Sequence, residues 1–453
     1  MSRLLPNLPL LLPALFLGAC FSPSQWSEKE PLPLPDSYQS GATTELEIAQ
    51  SLLHLFDTPE LDRVVELALE NNPSLSGAMA RFEEAGFLLT QTRSRLFPSL
   101  DGGASARRDD PAGFGASDTY SVSLDASWEV DVWGRLRANA NASRADLAAS
   151  EADFHYARQS LVAQVMQAWF SLVAAEKLTE LDQRRVNSFT TTEQLVSRRF
   201  DLGEASYSEL NLARTDLENA KADLESSLSL RDQRARQLNA LAGQYPNASY
   251  GSRLSWPQLD RTVSPDLPSE LLAARPDIQA AFARIRAADA RVSVSQADLL
   301  PSLRLTGTGG RTSSELSDLK SSAFDSWNAL ANVSMTLFDA GNRTAAIGAA
   351  RKRAEQAFFN YQSVVLNALR EVENALSSEG YLESEESARL AALEAANNAL
   401  DRVQREYESG LTTLLTLLET QRRVFNTERQ TINLRASRLS NRVNLALALG
   451  KAF

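Results

Sequence analysis

The chain has 453 residues, with 46 Lys and Arg against 57 Asp and Glu, so its net charge is −11. That balance excludes the basic footprint a nucleic-acid partner demands. With one Cys (Cys20) and two His, His54 and His155, a Cys/His zinc site, a Cys nucleophile or a His-centred triad is hard to build. His54 and His155 read as solvated or helix-surface residues, the acids read mostly as solvated helix faces, and neither a cofactor nor a metal is expected.

Residues 1–19 read as a targeting segment outside the fold. Met1-Ser2-Arg3 gives a positive start, and Leu4 to Phe16 is apolar although Pro6, Pro9 and Pro13 interrupt it. The run is too short for a spanning helix, which needs about 20 apolar residues. Leu17-Gly18-Ala19-Cys20 resembles the bacterial lipobox, whose Cys becomes the lipidated first residue of the mature chain. Phe21 follows, where an Asp would have pointed to retention at the inner membrane. Residues 20–57 are therefore expected to be a lipidated N-terminal segment, and one lipid anchor calls for a second membrane attachment.

Beyond it the chain is one unit written twice. A shift of 203 places aligns Asn72-Pro73-Ser74-Leu75 with Arg275-Pro276-Asp277-Ile278, and Leu96-Phe97-Pro98-Ser99-Leu100 with Leu299-Leu300-Pro301-Ser302-Leu303. A shift of 207 then pairs Gly134 with Gly341, Phe200 with Tyr407, Gly203 with Gly410, Leu210 with Leu417 and Gly243 with Gly450. Two copies, 58–243 and 265–450, are expected, joined by a linker at 244–264 that contains Pro246, Asn247, Gly251 and Pro257.

Each copy reads as helix, strand, strand, very long helix, tight turn, long helix. The first helix is expected from about Leu61 to Leu96, ended by Pro98. Weaker, Gly-rich strands follow near 99–107 and, in the second copy, 302–310. From Tyr120 to Val132 the chain alternates: Tyr120, Val122, Leu124, Ala126, Trp128, Val130 and Val132 take one face, and Ser121, Ser123, Asp125, Ser127, Glu129 and Asp131 the other. Trp327, Ala329, Ala331, Val333, Met335 and Leu337 repeat the apolar face in the second copy. Such period-two patterning marks strands with one greasy and one wet face. From Gly134 to about Phe200, and from Gly341 to about Tyr407, no Pro occurs, so each helix would reach on the order of 100 Å at about 1.5 Å per residue. After the glycine turn, Leu210, Leu217, Leu224 and Leu238 recur at multiples of seven, as in helices packed lengthwise.

Four strands cannot close a barrel of useful bore, and open sheet edges cannot be left in lipid. Tyr120, Trp128 and Trp327 near strand ends suit an aromatic girdle. Closure then needs several identical chains around a cyclic axis, each giving four strands. This argument does not fix the number at three. Asp125, Glu129 and Asp131 would line the pore, more as solvating groups than as a binding site.

Asp131-Val132-Trp133-Gly134, Leu337-Phe338-Asp339-Ala340-Gly341, the Arg275-Pro276-Asp277-Ile278 segment, the Tyr407/Gly410 turn and the duplication itself resemble the TolC-like outer-membrane efflux family over roughly residues 45–450. The lipobox is similar to that of the lipoprotein branch serving resistance-nodulation-division (RND) pumps. The resemblance implies an α+β chain in a homotrimer, with a twelve-stranded transmembrane β-barrel continued by a long α-helical periplasmic barrel. It also implies an outer-membrane location, a periplasmic adaptor (membrane fusion) protein and an inner-membrane RND-type pump as partners, and passive exit of toxic compounds or drugs. The family's periplasmic gate carries acidic rings, whose positions fall on Thr416 and Glu419 in the second copy and on Glu209 in the first. Thr416 departs from the carboxylate of some members. Two other readings stay open: a type I protein-secretion duct of the same fold, and a lipid-anchored periplasmic coiled-coil scaffold without a channel.

Overall fold

The computed structural model describes residues 25–29, 33–40, 47–48, 52, 55–113, 115–251, 254–263 and 267–451. Residues 1–19, Cys20 and His54 lie outside the described residues. Two compact units form: one from Met1–Pro31, Glu83–Ala149 and Ala281–Tyr361, the other from Leu32–Phe82, Ser150–Ala280 and Gln362–Phe453.

In chain order the elements are β1 (Glu47–Ile48), α1 (Pro59–Asn71), α2 (Pro73–Ser94), β2 (Ser99–Asp109), β3 (Ser117–Val130), α3 (Arg135–Asp201) and α4 (Tyr207–Leu241). There follow β4 (Arg261–Thr262), α5 (Pro268–Ala274), α6 (Pro276–Ala297), β5 (Ser302–Ser313), β6 (Asp325–Ser334), α7 (Asn342–Glu408) and α8 (Leu414–Ala448). The two copies are matched element for element. α3 and α7 have 67 residues each, and α4 and α8 have 35 each.

The first expected helix is in fact two. Pro73 supplies no amide hydrogen and pushes the residue before it out of the helical region, so Asn72 stands extended at ψ 120°. The Asn72 side chain then restarts the helix, its Oδ1 accepting the amides of Ser74 and Leu75 at 2.9 and 3.1 Å. Its Nδ2 donates to the Leu241 carbonyl at the end of α4. Arg275 occupies the same place before Pro276, again extended, and donates to Ala448 O at the end of α8. Leu241 and Ala448 are themselves 207 apart, so duplication extends to side-chain roles.

One unit carries a four-stranded antiparallel sheet in the order β2-β3-β5-β6. The central pair joins the two copies, running from Tyr120↔Ser313 to Val130↔Leu303. β2 and β6 are its open edges. The strands stop short of the alternation read from sequence: β3 ends at Val130 and β6 at Ser334, leaving Val132, Met335 and Leu337 in the turns. The chain must turn there to enter α3 and α7, and Asp131 and Asp339 begin that turn (below).

The other unit is helical, with a short parallel β1–β4 pair. Leu178, Leu181, Phe189 and Val196 of α3 bury against Leu210, Ala213 and Leu217 of α4, and against Tyr407, Leu414, Leu417 and Phe425 of α7 and α8. Both hairpin turns close by the same device. Gly203 and Gly410 adopt φ +78° and +72°, and the next residue's amide reaches back to Arg199 O or Glu406 O at 2.8 Å, a helix ending that glycine alone adopts without strain. Gly243 and Gly450 also need positive φ, and a Cβ on either would run into the backbone of Asn71 or Ala274. Among the described residues no helix is long and apolar enough to cross a membrane.

Candidate functional site

Register sorts the sheet into two faces. Asp125 lies opposite Thr308, Ser127 opposite Thr306, and Glu129 opposite Arg304. Asp125 accepts the hydroxyls of Thr308 at 2.7 Å and Ser123 at 2.8 Å, Arg304 donates to Ser127 Oγ, and Ser105 bonds Ser121 on the neighbouring pair. Between these positions, on the other face, Leu124 stands between Gly102 and Gly309, and Trp128 pairs with Leu305 and Val130 with Leu303. Glycine on both sides leaves Leu124 without a cross-strand side chain, and it is 58% exposed.

The three candidate pore residues have different surroundings. Asp125 belongs to the hydroxyl network just described. Glu129 is bound by Arg135, at the start of α3, at 2.6 Å. Asp131 is a helix cap: Oδ1 accepts the Leu136 amide at 2.9 Å and Oδ2 the Arg137 amide at 3.0 Å. The Arg137 guanidinium adds a further bond at 2.9 Å. Burial alone would raise the Asp131 pKa, but the two amides and the Arg137 charge outweigh it and hold the carboxyl below its ordinary range. Asp339 starts α7 in the same way, accepting from Gly341 and Arg343. Beside Asp131 lies a polar recess of about 230 Å³ lined by Glu129, Asp131, Trp133, Asp298 and Arg343.

At the hairpin turns, Glu209 closes a reciprocal cap with Ser206: its carboxylate accepts the Ser206 amide at 2.7 Å and Ser206 Oγ accepts its amide at 3.2 Å. Thr416 holds the equivalent place in α8, its amide donating to Thr413 Oγ1. Glu419 lies a turn further along α8, exposed to solvent. The two turns are tied together by Arg199, which donates to the carbonyls of Tyr407 and Glu408 at 2.9 and 3.0 Å and lies over the Tyr407 ring.

Sequence reasoning missed a buried charge set in the helical unit. Arg442, 1% exposed, donates to Glu379 at 2.8 Å and to the Arg261 carbonyl in β4. Arg438 joins Glu379, Glu383 and Glu386. Elsewhere in this unit, fully buried Asp182 of α3 takes Ser227 Oγ and Arg429, tying α3 to α4 and α8. These partners stand 45 to 247 positions apart, beyond the reach of any local pattern. The one available signal was the duplication, because Leu172 and Ala235 occupy the positions of Glu379 and Arg442 in the first copy.

The profile of the outer membrane efflux protein family matches residues 64–244 and 267–451. The chain is 32% identical over 456 residues to outer membrane protein OprJ of Pseudomonas aeruginosa, covering 97% of this chain and 94% of that one. It is 25% identical over 446 residues to SilC of Salmonella typhimurium, a probable outer membrane lipoprotein, with 96% of each covered. A crystal structure of a membrane protein from Pseudomonas aeruginosa superposes with a TM-score of 0.86 at 30% identity, covering 93% of this chain and 98% of that one. A duplicated helix–hairpin unit, a two-faced open sheet and two matches that together take in most of the sequence have one reading: the chain belongs to the outer membrane efflux protein family and is a TolC-like outer-membrane channel component of an efflux system.

Proposed function

We propose that three copies close a twelve-stranded barrel through their β2 and β6 edges, and that the long helices continue the wall as a periplasmic duct. The observation that carries this reading is the open β2-β3-β5-β6 sheet with its polar and apolar faces. Unpaired edge amides and carbonyls are untenable in lipid, so each β2 must meet a β6 from another copy. In this reading the mature chain consists of a lipidated segment at 20–57, repeats at 58–243 and 265–450, and a linker at 244–264. Asp125 and Glu129 face the water-filled bore, with Asp131 at its helical rim. The duct takes small toxic compounds from an inner-membrane RND-type pump through a periplasmic adaptor. Cysteine pairs placed across facing positions, such as Ala104→Cys with Ala331→Cys and its neighbours in register, should give a covalent trimer on oxidation. A covalent ladder ending at dimers, or no cross-link in any register, would sink the trimeric closure.

Glu419 is the acid assigned to the gate, because its carboxylate is free of the cap that occupies Glu209. Three such charges around a narrow axis favour cations. In planar bilayers, Glu419→Ala should weaken cation preference while conductance changes little. Unchanged selectivity would move the constriction elsewhere, with Thr416 next to test.

A further inference from the structure

One face of the sheet changes character at a sharp line near its loop end. Residues in register across antiparallel strands share a face, so the Leu124 face can be followed from strand to strand. On β2 it runs Leu100, Gly102, Ala104, Ala106 and then Arg108. On β5 it runs Leu303, Leu305, Gly307, Gly309 and then Arg311. β3 and β6 stay apolar on this face until Asp118 and Asp325, one same-face position beyond Tyr120 and Trp327. Each of the four strands thus places its one charge on this face at the loop end. The opposite face carries charge from end to end, in Glu129 and Arg304, Asp125 and Asp101, and Arg107.

The line sits at a definite height. From the first apolar residue to the charge is eight residues on β2, β5 and β6 and twelve on β3, about 26 and 40 Å of strand. At the tilt of a membrane barrel these are heights of roughly 20 and 30 Å, either side of an apolar band about 25 Å tall. The loop end lies opposite the end at which α2 and α3 join the sheet. In a duct whose helices enter the periplasm, it borders the outer leaflet.

Two cross-strand pairs make up the line. Arg311 is bonded to Asp325 and donates to the Leu319 carbonyl at 3.1 Å. Ser313, buried two residues further on, donates to Asp318 at 3.1 Å. Those contacts fold the turn at Leu316–Lys320 back over the Leu124 face, with Leu316 63% exposed and Lys320 exposed as well. Arg108 lies 3.7 Å from Asp118, too far for a hydrogen bond, and its side chain is 71% exposed. Its fork of donors therefore stays open.

We propose that this line is a binding surface for the phosphorylated glycolipid of the outer leaflet. Arg108 and Lys320 take its phosphates at headgroup height, and Leu316 and the apolar face below lie against its acyl chains. A border that met only water would need no guanidinium, whereas the planar fork matches the oxygens of a phosphate. Carboxylates alternate with the cations because phosphates crowded in one plane hold divalent cations between them, so such a layer presents both signs. This rests on the reading of the Leu124 face as lipid-facing.

The full-length, assembled protein in phosphatidylcholine nanodiscs tests it, with native mass spectrometry counting the glycolipid retained. The discs carry either diphosphoryl lipid A or the same lipid stripped of its phosphates. Wild type should favour the diphosphoryl form by about tenfold, the factor set by one charge-assisted hydrogen bond. Excess inorganic phosphate should not displace it, because the acyl chains also hold it. Arg108→Gln with Lys320→Gln should remove most of the preference. Arg107→Gln, next along β2 but on the opposite face, should keep it. Equal retention of the two lipids by wild type overturns the proposal without any variant, and displacement by inorganic phosphate overturns the lipid as its source. A preference that survives in both variants overturns the site. A preference lost with Arg107→Gln and kept without Arg108 and Lys320 overturns the reading of the faces instead.

Discussion

Carboxylates that look alike in sequence do different work according to what faces them. Asp131 continues the polar side of β3, yet its two oxygens are spent on the first free amides of α3 and on Arg137. Capping of this kind contributes about 1 kcal/mol. Asp131→Ala should therefore lower stability by about that much and fray the entry to α3. The carboxyl titrates below its ordinary value, so the sign follows: the charge stabilises fully above the unfolded value near pH 4 and loses that contribution as pH falls through the depressed folded value. Thermal unfolding of detergent-solubilised protein should show Asp131→Asn less stable than wild type at neutral pH, with the gap closing in acid. An equal gap at both ends of the pH range would mean that charge is not what holds the turn.

At the scale of elements, the two copies share their turns and differ in what they bury. Glu379 and Arg442 sit where the first copy has Leu172 and Ala235, all four buried. Removing one partner of a buried pair costs up to about 3–5 kcal/mol, here eased by Arg438, which stays 3.4 Å from Glu379, whereas replacing both with apolar groups is far milder. Arg442→Ala alone should thus be strongly destabilising in urea unfolding, and Glu379→Leu with Arg442→Ala should regain much of the loss. A double variant as unstable as the sum of the singles would show that Arg438, Asn441 and the Arg261 carbonyl, which also lose partners, dominate. The same contrast explains what could be read in advance. Helix extents, hairpin turns and strand faces follow from local periods and from glycine spacing, and the duplication exposes them twice. The break at Asn72 was legible in Pro73 but was hidden by apolar residues continuing on both sides. Strand ends were not legible, because Val132 and Leu337 keep the alternation after Asp131 and Asp339 have turned the chain. The Arg438–Glu386 pair reads as surface charge in either helix alone, and only the packing of α7 on α8, 52 residues apart, buries it.

For the whole molecule, the two faces of the sheet acquire different solvents only on assembly. In a single chain both faces are largely open, so exposure by itself does not say which meets lipid. Neighbours do. Leu124 stands over Gly102 and Gly309 with no side chain to cover it, whereas Ser123 adjoins Asp125 and its hydroxyl network. A lipid-facing arginine at mid-bilayer costs about 2–4 kcal/mol per site, and in a trimer that penalty is incurred three times. Leu124→Arg should therefore abolish the heat-modifiable oligomer in outer-membrane fractions. Ser123→Arg places its guanidinium in the bore, next to the Asp125 carboxylate, and should leave the oligomer intact while lowering cation conductance. The two sites are adjacent in one strand, so effects on folding yield or backbone propensity fall on both, and only the side of the sheet separates them. Equal assembly of both variants would reverse or abolish the assignment of faces, since a one-residue slip of register exchanges every side chain between lipid and water.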